Sequence, residues 1–387
     1  MLETLKFGKG NWANKTDSTL AYSDQYGNFQ AIPFDFTRAT TATRVNKQGL
    51  IESVNDGIAR IDYSDSTQGA LLLEPQRTNV IPYSNDLNQW TTSGTITSGQ
   101  DGLGVNPDAW IYQNSTPTSA VYINNTLSGV QTMSGFFKKN STNGIRLYAF
   151  GDVNCNAYFD LNNGTVDLQQ NIISADIVPF GDDWFRCSMT FNQTNTQCSI
   201  YITNNANTQV LGEITMQYMQ LELGSYATSY IPTNGATATR NQEICNNATP
   251  EINSEEGVLY AEIAALANVG GDNRLSISDG TLNNRVSFAY SPNPSKAYII
   301  VKMNGISVIN SLNLEIGSHL ENKKIAISYK SGDTKVFLNG TEIKSSTMLF
   351  SGATLNDLSF ESANGSVKFF GNTKDLKIFN TALTDAQ

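Results

Sequence analysis

From Trp184 to Phe191 the side chains alternate without a break: Phe185, Cys187, Met189 and Phe191 on one side, Arg186, Ser188 and Thr190 on the other. The same period of two runs through Cys198, Ile200 and Ile202 against Ser199, Tyr201 and Thr203, and again through Ile145, Leu147 and Ala149. In the last segment Tyr148 and Phe150 make the second face partly apolar as well. Successive side chains of a strand point to opposite faces, so such a pattern builds sheets with one face in a core and one face open. No 3.6-residue stripe competes with it. The expected fold class is all-β: two antiparallel β-sandwiches preceded by an extended N-terminal arm.

Turn residues and composition shifts divide the chain. Residues 1–78 carry many turn signals and few apolar runs, with Phe34-Asp35-Phe36 and Ile58–Tyr63 as short strands. They read as an arm for attachment or oligomerisation, packed on a neighbour. Residues 79–233 hold the alternating segments and form the first sandwich. The polar stretch 234–256 reads as a linker, and residues 257–387 as the second sandwich. Its clearest hairpin is Val336–Leu338, Asn339-Gly340, Thr341–Lys344, because an Asn-Gly pair supplies the positive φ that a two-residue hairpin turn needs. The final NTALTDAQ reads as the start of a helix capped by Thr384. Between arm and first sandwich, GALLLEPQRTNVIPYSNDLNQW (69–90) offers a buried strand, Ala70–Leu73, and then a connector. In that connector Glu74, Arg77 and Asn79 are expected to form a structural joint.

Composition narrows the functions. The net charge of −10 argues against nucleic acid and against anionic membrane, both of which need a basic face. No secretory signal and no run near the ~20 apolar residues of a membrane span is present, so synthesis in a cytoplasm is expected. The four cysteines, Cys155, Cys187, Cys198 and Cys245, show no metal-ligand spacing. If Cys187 and Cys198 lie on strands folded about a turn at 192–197, they are out of register for a bridge, and free buried thiols are expected.

Candidate chemistry is sparse. The sole histidine, His319, reads as part of an exposed turn, with no G-x-S-x-G elbow beside it. The chain has no E-x-D segment that would set glycosidase carboxylates along one strand. The protein is therefore not expected to be an enzyme, and no cofactor is expected. Sugar binding needs exposed rings, for which Trp110, Tyr112 and Tyr122 are candidates in the first sandwich and Tyr290 and Tyr298 in the second.

The runs FTRATTATRVNKQGLIESV (36–54), ARIDY (59–63), LLLEPQRTNVIPYSNDLNQW (71–90) and QLELGSYATSYIPTNGATATR (220–240) resemble a bacteriophage structural module. In that module F-T-R-A-T-x-A-T and L-L-x-E-x-Q-R-T-N precede a carbohydrate-binding-module-like jelly roll, which closes on Q-L-E-x-G-x-x-A-T-S-Y-I-P-T. The C-terminal part, through VFLNGTEI (336–343) and FGNTKDLKIFNTALTDA (370–386), is similar to the concanavalin A-like, laminin G-like lectin fold. The resemblance implies a virion structural protein, a tail or head fibre or related appendage, with host attachment through a bacterial surface glycan. It further implies other virion proteins as partners and assembly as a homotrimer. Such domains also hold structural Ca²⁺, for which Asp86, Asp272 and Asp279 are candidate ligands. The rival readings are a glycan depolymerase on the same scaffold and a purely architectural decoration protein.

Overall fold

The computed structural model describes residues 3–25, 28–104, 108–268 and 273–383. Among these the only helical element is the 3-10 turn Leu87–Gln89, and the strands pair antiparallel throughout the sheets. The all-β expectation holds. The helix start expected at Thr384 lies outside the described residues.

The chain divides into two compact units that do not follow the expected boundaries. The first combines Met1–Thr41, Val54–Pro75 and Asn241–Gln387; the second combines Ala42–Ser53 and Gln76–Arg240. The arm expected over 1–78 is therefore not a separate piece. In the first unit Glu3–Gly8 pairs with Gly371–Phe379, placing Phe7 opposite Leu376. Ser18–Gln25 and Asn28–Thr37 extend the sheet beyond Glu3–Gly8, and Ile244–Asn246 closes that edge against Asn28–Thr37. On the other side follow Glu256–Ala265, Lys323–Lys330, Thr334–Leu338 and Thr341–Ser346. The linker expected over 234–256 is likewise corrected, since it contributes Ile244–Asn246 and the fully buried Glu243 and Cys245.

A five-stranded sheet, Ile306–Glu315, Lys296–Met303, Arg285–Tyr290, Asn273–Ser278 and Asp357–Ser359, supplies the other layer of this unit. Phe7, Phe34 and Leu376 from one layer and Ile277, Phe288 and Val301 from the other share a single apolar core. The expected Asn339-Gly340 hairpin forms, with φ of 50° and 85°, and Asn304-Gly305 makes a second, with φ of 47° and 79°. His319 is not on an exposed turn. It is 1% exposed, its ring lies 4.6 Å from that of Tyr290, and Nε2 is 2.7 Å from the Lys296 carbonyl. Burial lowers its pKa, so it packs as a neutral ring.

The first unit buries a cluster of four charges. The Glu243 carboxylate accepts from Arg38 Nη1 at 2.6 Å and from Arg60 Nε at 2.8 Å, and also from Arg60 Nη2. Its Oε2 accepts the Glu74 backbone N–H at 3.0 Å. Arg60 in turn pairs with Glu74 Oε2 at 2.8 Å. Burial acts against the Arg60 charge, but the two carboxylates outweigh it and its pKa is raised. Two cations and two anions thus cancel within one cluster, whose members come from residues 38, 60, 74 and 243 along the chain. Removing one partner of a buried pair leaves an uncompensated charge and costs about 3–5 kcal/mol. Glu243→Gln should accordingly lower the unfolding free energy of the protein by about that amount, measured by urea denaturation; an unchanged midpoint would contradict the assignment.

In the second unit eight strands of a ten-stranded sheet run in the order Gly94–Gln100, Ala109–Asn114, Glu213–Leu223, Ala120–Lys139, Trp184–Thr203, Gly144–Gly151, Cys155–Asp160, Thr165–Gln170, with Thr91–Thr92 pairing on Ala120–Lys139 and Ser174–Pro179 on Trp184–Thr203. Ala120–Lys139 and Trp184–Thr203 are each 20 residues long and pair along most of their length. No turn interrupts 192–197, contrary to expectation. The polar tract stays extended because its main chain pairs with residues 124–130, across one register shift between Asn124 and Leu127. Gln131 Nε2 donates to the Gln193 carbonyl at 2.9 Å, and Gln193 Nε2 to that of Ala149 at 3.2 Å. The four cysteines are free and buried, as expected, with Cys187 and Cys198 on the same strand.

Candidate functional site

The residues singled out for sugar binding do not gather at one place. Tyr112 is fully buried, and its phenol is pushed up to about 12, mainly by burial. Trp110 is 9% exposed and donates Nε1 to the Asn85 carbonyl at 2.7 Å. Both belong to the core, because the face of Ala109–Asn114 that carries them turns inward. Tyr290 is 1% exposed, edge-on to Phe288 at 4.9 Å. These three present no ring face to a ligand. Tyr298 is half-buried opposite Ala289, and Tyr122 is half-buried opposite Ser199. Of the five, Tyr122 alone shares a sheet face with further half-buried rings, Tyr148, Tyr158 and Tyr201.

That neighbourhood is the open face of the second unit's sheet. Val121, Ile123, Ile145, Leu147, Ala149, Ala157, Phe159, Cys198, Ile200 and Ile202 point into the core, so the intervening residues share the opposite face. Register sets them in rows. Ala120, Tyr201, Arg146, Tyr158 and Leu168 stand opposite one another on five consecutive strands. The next row is Tyr122, Ser199, Tyr148, Asn156 and Gln170, and a third begins Asn124, Gln197, Phe150. With strands about 4.8 Å apart, the rows extend ~19 Å across the sheet. None of these thirteen side chains is acidic.

Arg146 lies at the centre of the aromatic residues. Its guanidinium carbon stands 4.4 Å from the Tyr148 ring centroid, 5.2 Å from Tyr158 and 5.4 Å from Tyr201. Tyr148 and Tyr201 meet edge to face at 6.0 Å, and Phe150, 49% exposed, continues the group 6.4 Å from Tyr148. Cation–π contacts of this kind fix a guanidinium without neutralising it. No carboxylate among the described residues pairs with Arg146, and its Nε is buried without a hydrogen-bond partner. Burial raises the Tyr148 pKa, with Arg146 acting in the opposite sense. Around the rings the amides are ordered: Gln197 Nε2 donates to Asn124 Oδ1 at 3.1 Å, Ser199 Oγ to Gln197 Oε1 at 3.0 Å, and Asn156 Nδ2 to Gln170 Oε1 at 3.1 Å. Flat aromatic faces beside amide donors and acceptors are suited to a polar ring-shaped ligand. The alternation around Tyr148 and Phe150 pointed toward this face; only strand register brings Tyr158 and Tyr201 to Arg146.

Two of the three calcium candidates are engaged in local turns. Asp86 caps the turn at Leu87, accepting from the Asn88 N–H at 3.2 Å, and Asp279 accepts from Thr281 and Asn284 in a local turn. Asp272 lies outside the described residues. Among the described residues no group of three or more His, Cys, Asp or Glu side chains converges to hold an ion.

The joint residues divide between the units. Glu74 belongs to the charge cluster of the first. Arg77 and Asn79 belong to the second, where Arg77 Nε is 3.7 Å from the buried Glu222 and its guanidinium lies over Tyr226 at 5.3 Å. Gly224, at φ 136°, leaves room for this, since a Cβ there would stand 2.8 Å from Arg77 Nε. Glu222 also accepts from the Thr228 N–H at 2.8 Å and from its hydroxyl at 2.6 Å. Asn79 Nδ2 donates to the carbonyls of Met219 and Ile231, while its Oδ1 accepts from the Ile81 and Leu221 N–H groups.

No protein-family model matches the chain, and no curated protein matches it. Among solved structures, a sialidase of Trypanosoma rangeli is similar at 10% identity and TM-score 0.28, over 95% of this chain and 80% of that one. The same sialidase in complex with the inhibitor DANA aligns at 9% identity and TM-score 0.27, over 100% and 93%. A superposition at that level supports neither a fold assignment nor an activity.

The half-buried rings of the outward face contribute little to folding, whereas the inward rings hold the core. Tyr201→Ser should change stability by less than about 1 kcal/mol, and Tyr112→Ala should cost about 3–5 kcal/mol. Thermal unfolding of the two variants checks this; equal losses would place the open face in the folding framework instead.

Proposed function

We propose that this protein is a structural component of a bacteriophage virion appendage, a tail or head fibre, and that it holds bacterial surface glycan on the Tyr122, Tyr148, Tyr158 and Tyr201 face. The virion assignment rests on the motif runs at 36–63, 71–90 and 220–240 and on their resemblance to phage structural modules. The glycan assignment rests on one observation: an open sheet face where tyrosine rings surround a single arginine and ordered amides flank them. Exposed rings stack on the apolar faces of sugars, and amides meet hydroxyls in both donor and acceptor roles. The face offers no carboxylate pair for acid–base cleavage, which favours retention over depolymerisation. In this reading the jelly-roll-like second unit is the adhesive part, the lectin-like first unit is the scaffold, and the chain acts in the virion as a homotrimer alongside other virion proteins.

Surface polysaccharide from the host bacterium, immobilised and probed with the full-length protein, tests the binding claim. The protein should be retained, and Tyr148→Ala should weaken retention by about tenfold while melting at the parental temperature. Failure to bind any host polysaccharide, or unaltered binding by Tyr148→Ala, would overturn it. Electron microscopy of virions carrying labelled protein should place it on an appendage.

A further inference from the structure

We infer that Arg146 makes the open face selective for glycans bearing a carboxylate, such as a uronic acid unit. This rests on the glycan reading above and adds the charge class of the ligand. Arg146 is the one charge among the thirteen side chains of the rows, on a chain of net charge −10. Its guanidinium is clamped against Tyr148, Tyr158 and Tyr201, with neither a carboxylate nor a hydrogen-bond acceptor of the described residues taking it up.

Elsewhere the chain places its most deeply buried arginines otherwise. Arg38 and Arg60 are neutralised by Glu243 and Glu74, and Arg240 Nη1 donates to the Ser229 hydroxyl at 2.8 Å. A half-buried guanidinium without such an acceptor carries unspent hydrogen-bonding capacity in a site where rings have partly displaced water. There a charge–charge contact is screened less than on an open surface. The planar fork of an arginine matches a carboxylate with two parallel N–H···O bonds, and stacking on rings sets the fork's plane before the ligand arrives. With no acidic side chain in the rows, an incoming carboxylate meets attraction locally although the protein as a whole repels anions. A neutral glycan gains the ring contacts but leaves the guanidinium unanswered, which is the basis of discrimination.

The test compares two probes on the full-length protein: an oligouronate, and the same oligosaccharide with its carboxyls reduced to primary alcohols. By calorimetric titration the oligouronate should bind about 10–100-fold more tightly, the range expected for hydrogen bonds to a charged group. Added salt should weaken the oligouronate and leave the reduced sugar unchanged. Arg146→Gln should bring the two affinities together. Arg146→Lys, which keeps the charge but loses the fork, should retain only a small part of the preference. Should either variant fail to fold, the native protein's preference and its salt dependence decide alone. Equal binding of the two probes by the native protein, or a preference that survives Arg146→Gln, would overturn acid selectivity and leave glycan binding standing. Binding of neither probe, together with no retention on host polysaccharide, would overturn both readings.

Discussion

A single carboxylate holds together the part of this protein on which the rest depends. Glu243 receives two guanidinium groups and a backbone N–H inside the first unit, and the charges balance only because Glu74 shares Arg60. Arg38, Arg60 and Glu74 sit far from Glu243 along the chain, so the cluster forms only after these residues near the start have met residue 243, with Gln76–Arg240 of the second unit between them in the sequence. A half-formed set of buried charges is worse than none, which makes such a cluster a device for specifying one arrangement. It stands at the points where the chain leaves and re-enters the unit: Arg38 before residue 41, Arg60 and Glu74 within 54–75, and Glu243 just after 240.

This gives the long motif a physical meaning. Arg38, Arg60 and Glu74 are its conspicuous charges in the first unit. In the second, Asn79, Gln220, Glu222, Gly224, Thr228 and Tyr230 interlock by hydrogen bonds and close contact: Gln220 Oε1 takes the Ile231 N–H at 2.7 Å, and Tyr230 stacks on Tyr218 at 4.3 Å while bonding Ser84. The motif is therefore a framework of buried polar groups, and the face proposed to meet a ligand lies elsewhere, on strands outside the motif.

How legible the protein was in its sequence follows from the range of each interaction. The buried strand Ala70–Leu73 and the Asn339-Gly340 hairpin could be read because their signals are local. Phe34-Asp35-Phe36 could be read as part of a strand, but Glu3–Gly8 could not, since Phe7 finds its partner at Leu376, and a polar segment looks like an arm until that partner is known. Glu243 and Arg240 looked like linker charges because burial of a paired charge leaves no mark on composition. Trp110 and Tyr112 alternate as well for an outward face as for an inward one, and only packing decided between them. On the open face Tyr148 and Phe150 were visible as an apolar second side, yet Arg146 gained significance only when register set Tyr158 and Tyr201 beside it.

The C-terminal sandwich is incomplete by itself, and is completed by the first forty residues and by 54–75. Expressing residues 257–387 alone tests it most directly, with near-ultraviolet circular dichroism and amide hydrogen exchange as readouts. Without Glu3–Gly8 and Ala70–Leu73 the strand Gly371–Phe379 loses its partners on one side, and Phe7, Phe34 and Phe36 leave the core. The account predicts a fragment without fixed tertiary packing and with little exchange protection. A cooperative, protected, monomeric fold of 257–387 by itself would contradict it.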